Sequence, residues 1–245
     1  MTWRQVICFG SGLGSIALAL LSPLAALSNA LFSAHMVQHI LLMNVAAPLL
    51  IWGSEPALLL WAMPTTARRG VARWWQRRSW CRGVWRVLTQ PIIIWVFFAL
   101  TLWIWHAPQL YQAAIANEYI HLLEHLGFMA SALLFWWVLR PRGLQTGAVL
   151  LFLFTTALHS GLLAALITFA ARPLYPIYAA HAQAWGLNLL TDQQLAGVVM
   201  WVPVGFVYLG ALLWRLWQQL AKAEHESSDF VGNLHTKPNL SERTG

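Results

Sequence analysis

The sequence is poor in charge. Charged residues make up only 9% of the 245-residue chain, whereas hydrophobic residues make up 59%. Soluble domains carry roughly 25% charged residues, so this composition excludes that class. The 15 lysines and arginines outnumber the 8 acidic residues, for a net charge of +7. No nucleic-acid partner is expected, because the basic residues lie in short segments between apolar runs, which is typical of a protein embedded in a lipid bilayer.

Cysteine is also scarce, with only Cys8 and Cys81. Neither a disulfide framework nor a thiolate metal site is expected from two such residues. The chain also lacks a nucleophile elbow, a P-loop and the glycine pattern of a dinucleotide site. The sequence therefore predicts that the protein is not an enzyme. Hydrolysis by water on a histidine-bound metal is the one catalytic alternative left open.

Apolar runs near 20 residues recur along the chain, and about 20 helical residues span a bilayer core of about 30 Å. They predict an all-α, polytopic transmembrane helix bundle of about six spans within residues 1–215. The predicted spans are Val6–Leu24, Leu31–Trp52, Pro91–Trp105, Tyr119–Leu139, Gln145–Ala170 and Asp192–Leu213. An amphipathic surface stretch is predicted at residues 57–63, an arginine-rich loop at residues 64–90, and a polar, disordered tail at residues 216–245.

The basic residues indicate the orientation. With both termini in the cytoplasm, the arginine-rich loop, Arg4, Arg140 and Arg215 all lie inside and only Arg172 lies outside. This N-in/C-in arrangement predicts a multi-pass protein of the bacterial plasma (inner) membrane. Residues 1–30 also resemble a signal peptide, whose cleavage would leave five spans; a retained span is favoured because no A-x-A cleavage site stands out.

Seven histidines lie between the two terminal segments: His35, His39, His106, His121, His125, His159 and His181. In the predicted topology all seven fall in the outer half of the protein. Ionisable groups inside a membrane are costly and point to function. Any single one could instead be an interfacial or helix-bonding residue. The layer as a whole favours a metal site near the extracytoplasmic surface.

Two segments share one pattern: H-M-V-Q-H-I-L-L-M from His35 and H-L-L-E-H-L-G-F-M from His121. Residues i and i+4 share a helix face about 6 Å apart, so each histidine pair can face one ion. The predicted metal ligands are His35, His39, His121, His125 and His159. Weaker candidates are Met43, Met129, His106 and Glu124.

The types of these side chains indicate the metal. Imidazole suits copper, zinc, iron and nickel, and a thioether shifts the preference to Cu(I), so copper is predicted over zinc. Glu124 is expected to face the site and to accept a proton or a ring N–H from a ligating histidine. The alternative for Glu124 is an interfacial carboxylate bonded to a neighbouring helix.

Three other residues are interpreted as structural. Pro48 and Pro203 should bend spans two and six and free backbone carbonyls near Asn44 and Val199. Asp192 is expected to cap the start of span six.

At these residues the chain resembles the CtaG-type, multi-span assembly factors of bacterial caa3-type cytochrome c oxidase. The resemblance rests on H-M-V-Q-H from His35 with A-A-P-L-L after it, W-H-A-P-Q-L-Y from Trp105, H-L-L-E-H from His121, and D-Q-Q-L-A-G-V-V-M-W from Asp192. These blocks lie within residues 31–205. The resemblance implies a role in maturing haem–copper oxidase by handling copper on the outer side, with oxidase subunits or a copper chaperone as partners. The family often has a seventh span, whereas six are predicted here.

Two other functions stay open. A haem-binding electron carrier would use axial histidines, although an i, i+4 pair on one helix cannot ligate both faces of one haem. A metal transporter would need polar groups that continue to the inner side. Residues 172–190, which include Tyr175, Tyr178, His181 and Trp185, are the predicted docking surface for a partner.

Overall fold

In a computed structural model of the protein, residues 2–53, 64–140 and 144–236 are described, and every regular element in these ranges is helical. The predicted surface stretch at residues 57–63 lies outside them. The first helices are α1 (Trp3–Leu21), α2 (Pro23–Ser28), α3 (Phe32–Ile40), a π-helical turn (Leu41–Ala46) and α4 (Ala47–Gly53). Then follow α5 (Thr65–Arg77), α6 (Ser79–Leu88), α7 (Pro91–Trp105), α8 (Pro108–Ala116) and α9 (Glu118–Val138). The last are α10 (Thr146–Thr168), a 3-10 turn (Pro176–Tyr178), α11 (Ala179–Ala184) and α12 (Leu189–Thr236).

Five helical segments of the described chain are long and apolar enough to cross a membrane: α1, α3 to α4, α9, α10 and the first part of α12. A sixth is obtained if α6 and α7, which meet at 64°, form one broken span. Alone, α7 has 15 residues and reaches about 22 Å, which is short for a bilayer core. The predicted all-α polytopic bundle of about six spans is thus confirmed.

Two segments differ from their predictions. The arginine-rich segment 64–90 is largely helical, as α5 and α6, rather than a loop. The predicted disorder from residue 216 is wrong for residues 216–236, where α12 continues to Thr236. Polarity alone suggested disorder, but glutamine, leucine, alanine, lysine and glutamate favour helix, and neither glycine nor proline occurs between Leu216 and Val231. Residues 237–245 lie outside the described residues.

Pro48 frees a backbone carbonyl in the second span, as expected, but the carbonyl is that of Met43 rather than that of Asn44. In the π-helical turn the backbone N–H of Ala47 donates to the carbonyl of Leu42, five residues back. The same spacing pairs Pro48, which has no N–H, with the carbonyl of Met43. The indole Nε1 of Trp136 donates to that carbonyl at 2.9 Å. A side chain of α9 therefore satisfies the backbone group that the proline leaves free, and it ties α9 to the span that carries His35 and His39.

Asp192 caps α3 rather than its own helix. Leu31, at the N-cap position of α3, has no side chain that can cap. Instead the buried carboxylate of Asp192 accepts hydrogen bonds from the backbone N–H groups of Phe32, at 2.7 Å, and Ser33, at 3.2 Å, and from the Ser33 hydroxyl. The prediction that Asp192 caps span six is therefore wrong. Its role is to fix the start of the helix that presents His35 and His39.

The close packing of α10 on α12 depends on Gly197. A Cβ atom at this position would lie 2.2 Å from Thr168 Oγ1 and 2.9 Å from the carbonyl oxygen of Ala164. The backbones approach closely because there is no side chain between them, as is common where membrane helices meet.

We therefore expect Gly197→Ala to lower the free energy of unfolding by about 1–3 kcal/mol through overpacking. The measurement is unfolding in detergent followed by tryptophan fluorescence. Gly205→Ala is the matched control on the same helix, because a Cβ there meets no atom within 4 Å. Equal stability of the two variants would contradict this account of the helix contact.

Candidate metal centre

Four histidines from two spans converge in the interior. His35 and His39 lie one turn apart on α3, with ring centroids at 4.3 Å, and His121 and His125 lie one turn apart on α9 at 4.4 Å. Across the two helices the ring of His35 stacks on that of His121 at 5.2 Å, and the rings of His39 and His125 are 5.4 Å apart. The sequence spacing thus places both pairs on facing surfaces, and the two pairs meet.

Glu124 lies among these rings and is completely buried. Its carboxylate oxygens are 3.7 Å from His35 Nε2 and 3.9 Å from His39 Nε2. It faces the site as predicted, but these distances exceed the range of about 2.7–3.2 Å for a hydrogen bond, so the expected ring N–H bond is not made.

Many polar atoms of the cluster have no hydrogen-bond partner among the described residues. They are both ring nitrogens of His35 and of His39, Nε2 of His121 and of His125, and both carboxylate oxygens of Glu124. A buried polar atom left without a partner costs roughly 1–3 kcal/mol, so native structures keep few of them. Such a concentration of donor atoms indicates that the site is built to bind a ligand.

The atoms form two overlapping sets that fit a metal ion. One set is His35, His39 and His125, the other is His35, His121 and Glu124, and within each set the ligand atoms lie within 4.8 Å of one another. Metal–nitrogen bonds of about 2.0–2.1 Å place ligand atoms roughly 3–4 Å apart, so small ring rotations suffice. His35 is the one residue that belongs to both sets.

His106 and Met43 join the cluster from one side. The His106 ring is 6.4 Å from that of His39, and its Nδ1 lies 2.7 Å from the carbonyl oxygen of Leu102. His106, His39 and Met43 all line a cavity of about 40 Å³. Met36 and Met200 also line this cavity. Sequence reasoning missed these two because neither continues the histidine stripe of its own helix.

The other sequence candidates lie outside the cluster. His159 packs its ring edge-on against Trp95 at 5.4 Å and belongs to neither ligand set. Met129 packs against the hydrophobic core and does not line the small cavity. His181 is exposed, in α11. The predicted contributions of the second and fourth spans thus come together, the predicted ligand His159 of the fifth span lies apart from them, and His106 at the end of α7 lies beside His39 without belonging to either set.

Polar residues next to the cluster hold its helices in place. The Gln38 amide donates to the carbonyl of Ala19 at 2.8 Å, which ties α3 to α1. Tyr111 packs against His35 at 5.3 Å, and its hydroxyl lies 2.7 Å from that of Tyr178. Burial raises the pKa of Tyr178 well above its usual range, so it remains a neutral phenol.

The burial of the tyrosines also corrects the predicted docking surface at residues 172–190. Tyr175 and Tyr178 are 2% and 0% exposed, so neither can contact a partner. His181 and Trp185 are exposed, and Trp185 retains 61% of its surface. Of the four residues singled out in this segment, only His181 and Trp185 are therefore available to a partner.

A second cavity leads from the protein surface to the histidines of α9. It has a volume of about 540 Å³, and its walls include His121, His125, Gln38 and Glu118. His35 and His39 lie behind them, almost fully buried. His121 and His125 therefore border this cavity, whereas His35 and His39 do not.

Comparison with known proteins supports the resemblance seen in the motifs. An uncharacterised protein of Mycobacterium bovis and one of Mycobacterium tuberculosis are each 25% identical to the chain over 243 residues. The match covers 93% of this chain but only 37% of each relative, so the chain spans a little over a third of their length. No solved structure gives a significant match. The family described as cytochrome c oxidase caa3 assembly factor (Caa3_CtaG) matches residues 1–222, and the chain therefore belongs to this family of membrane proteins.

Proposed function

We propose that the protein binds copper at the histidine cluster and delivers it to cytochrome c oxidase during assembly. The observation that carries the proposal is the convergence of His35, His39, His121 and His125 around a buried carboxylate, with their donor atoms unpaired among the described residues. Because the chain belongs to the caa3 assembly factor family, we infer that cytochrome c oxidase receives the copper. The bacterial plasma membrane is the proposed location, with the cluster near the extracytoplasmic surface.

The donor set fits copper. Three imidazoles, or two with a carboxylate, suit Cu(I) and Cu(II), and copper binds nitrogen sites more tightly than the other common divalent metals. Glu124 is completely buried, so its negative charge, rather than surrounding solvent, offsets the charge of the ion. The thioether of Met43, which lines the same small cavity as His39, is an additional soft donor near the site.

The cavity at His121 and His125 supports delivery rather than permanent storage. An ion that reaches these residues can pass to the set centred on His35 and return by the same route, because each set shares a ligand with the other. We infer that an oxidase subunit or a copper chaperone docks at this opening. The exposed His181 and Trp185 belong to the segment that we predicted from the sequence as a docking surface.

Copper stoichiometry of the purified protein tests the proposal. After loading with Cu(I) and removal of weakly bound metal, the wild type should retain about one ion, and the variant His35→Ala, His39→Ala, His121→Ala, His125→Ala should retain none. The matched control is His159→Ala with His181→Ala, which removes two histidines outside the cluster and should leave the stoichiometry unchanged. Equal copper in the wild type and the four-alanine variant would exclude this site.

A haem-binding role is disfavoured by the same geometry. Rings from the facing helices stack directly on each other, which leaves no slot for a porphyrin between His35 and His121. A Soret absorbance band in the purified protein would reverse this conclusion.

Copper transport is the second candidate function, and Asn44 is the observation that favours it. This residue lines both the 40 Å³ cavity beneath His39 and a larger cavity towards the end of the bundle away from the histidines. The walls of the larger cavity are mainly apolar, so delivery on one side is the better-supported proposal. Uptake of copper into proteoliposomes by the wild type, and not by the four-alanine variant, would favour transport.

A further inference from the structure

The strongest feature outside the histidine cluster is a pair of connected cavities at the opposite end of the bundle. The first has a volume of about 590 Å³ and lies among α1, α4, α9, α10 and α12. The second, of about 410 Å³, lies between the start of α10 and α12. Arg215 and Gln218 line both cavities, so the two adjoin at these residues.

The two cavities differ in chemistry. The larger one has mainly apolar walls, which include Trp52, Trp136, Trp214 and Leu153. Its size falls in the range of about 300–1,000 Å³ that is typical of ligand sites. The smaller one is lined by polar and basic side chains, including Gln145, Gln219 and Lys222. A ligand that fills both must therefore have an apolar part and a polar part.

The charges of the lining residues indicate which polar group the ligand carries. None of the described residues that line the two cavities is acidic, whereas Arg215 and Lys222 both carry a positive charge. The guanidinium of Arg215 makes one long hydrogen bond, from Nη2 to the carbonyl of Leu144 at 3.5 Å, and its buried Nε has no partner among the described residues. Arginine recognises phosphate through several N–H groups at once, and amide side chains can add further donors.

We propose that this pair of cavities binds one anionic phospholipid, with an acyl chain in the apolar cavity and the phosphate against Arg215 in the polar one. The tryptophans Trp52 and Trp214 are about half exposed, as expected of side chains at the boundary between acyl chains and headgroups. A bound lipid would fill the space between α1, α9 and α12 and would satisfy the Nε of Arg215. This site is separate from the metal centre and does not depend on the function proposed for it.

Native mass spectrometry of the delipidated protein in detergent tests the proposal. The probes are palmitoyl-oleoyl phosphatidylglycerol, palmitoyl-oleoyl phosphatidylcholine and glycerol 3-phosphate. The wild type should bind one phosphatidylglycerol about tenfold more tightly than phosphatidylcholine, as expected for one charge-assisted contact. Equal affinity for the two lipids would overturn the proposal. Displacement of phosphatidylglycerol by an equimolar amount of glycerol 3-phosphate would also overturn it, by showing that the site takes free phosphate.

Two variants separate the contributions of the two cavities. Arg215→Gln should bring the affinity ratio of the two lipids close to one, whereas Arg172→Gln, an exposed arginine elsewhere in the chain, should leave it unchanged. Gly210→Leu should weaken binding of both lipids, because Gly210 lines the apolar cavity and a Cβ there meets no atom within 4 Å. Gly205→Leu is its control, since a Cβ there also meets nothing and Gly205 does not line the cavity.

If Arg215→Gln does not fold, Lys222→Gln provides the charge test from the exposed side of the polar cavity. It should reduce the preference for phosphatidylglycerol about threefold, because Lys222 is exposed and water screens its interaction with a phosphate more than that of Arg215. Retention of the full preference in every charge variant that folds, or unchanged lipid binding in Gly210→Leu, would overturn the site.

Discussion

Replacing Glu124 by glutamine is expected to lower the affinity of the purified protein for Cu(I) by about two orders of magnitude. The substitution keeps the shape of the side chain and removes its negative charge. Two unit charges 4 Å apart attract by about 4 kcal/mol at an effective dielectric constant of 20, and each 1.4 kcal/mol corresponds to a factor of ten. The cost of burying the carboxylate offsets part of that attraction, which leaves roughly a hundredfold effect.

Competition with a chromophoric Cu(I) chelator in detergent measures this affinity. Glu118→Gln is the matched control, because Glu118 lies on the same helix, is exposed, and stands at the opening of the access cavity rather than among the rings. It should leave the equilibrium affinity within about twofold of the wild type, as expected for an exposed charge. An unchanged affinity in Glu124→Gln would show that the ion does not lie beside this carboxylate.

The helical spacing was sufficient to predict the centre of the site. His35 with His39, and His121 with His125, are each four residues apart, and this spacing alone places each pair on one face. That the two faces meet was inferred from a common depth in a predicted topology, and the ring distances confirm it. The orientation of the bundle in the membrane stays a prediction, since it rests on the distribution of arginines.

His159 shows what depth cannot determine. Depth fixes the height of a residue along its helix, but the direction of the side chain depends on how that helix packs. In α10 the neighbouring Thr156 accepts a hydrogen bond from the Trp95 indole at 3.0 Å, and His159 lies against the same indole. This contact joins residues more than 60 positions apart, which no periodicity along the chain reveals.

The likeness of a motif to a family does not reveal its role either, and Gln193 illustrates this in the D-Q-Q-L-A-G segment. Its amide accepts from the backbone N–H of Leu174 at 2.6 Å and donates to the carbonyl of Ile167 at 3.2 Å. The glutamine thus fastens the segment after α10 to α12. In the same motif, Asp192 accepts hydrogen bonds from the start of α3 and Gly197 packs against α10. The motif therefore holds helices of the bundle together.

Asp192→Ala is therefore expected to lower the free energy of unfolding by about 3–5 kcal/mol. The variant loses three hydrogen bonds to a buried carboxylate and leaves the backbone N–H groups of Phe32 and Ser33 without their partner at the start of α3. Denaturation in detergent, followed by tryptophan fluorescence, measures the loss. Asp192→Asn should lose less, because its amide oxygen still accepts one of these bonds.

The copper stoichiometry of Asp192→Ala distinguishes support from ligation. Asp192 belongs to neither ligand set, so the folded variant should still retain about one ion at low temperature, while Glu124→Gln should be as stable as the wild type but bind copper weakly. Loss of copper from Asp192→Ala at a temperature where the bundle remains folded would mean that the start of α3 must be held in place for His35 and His39 to reach the ion. Asp192 and Glu124, two buried carboxylates on different helices, would then act on the same histidine pair. Asp192 would hold the backbone that carries the pair, and Glu124 would contribute its charge.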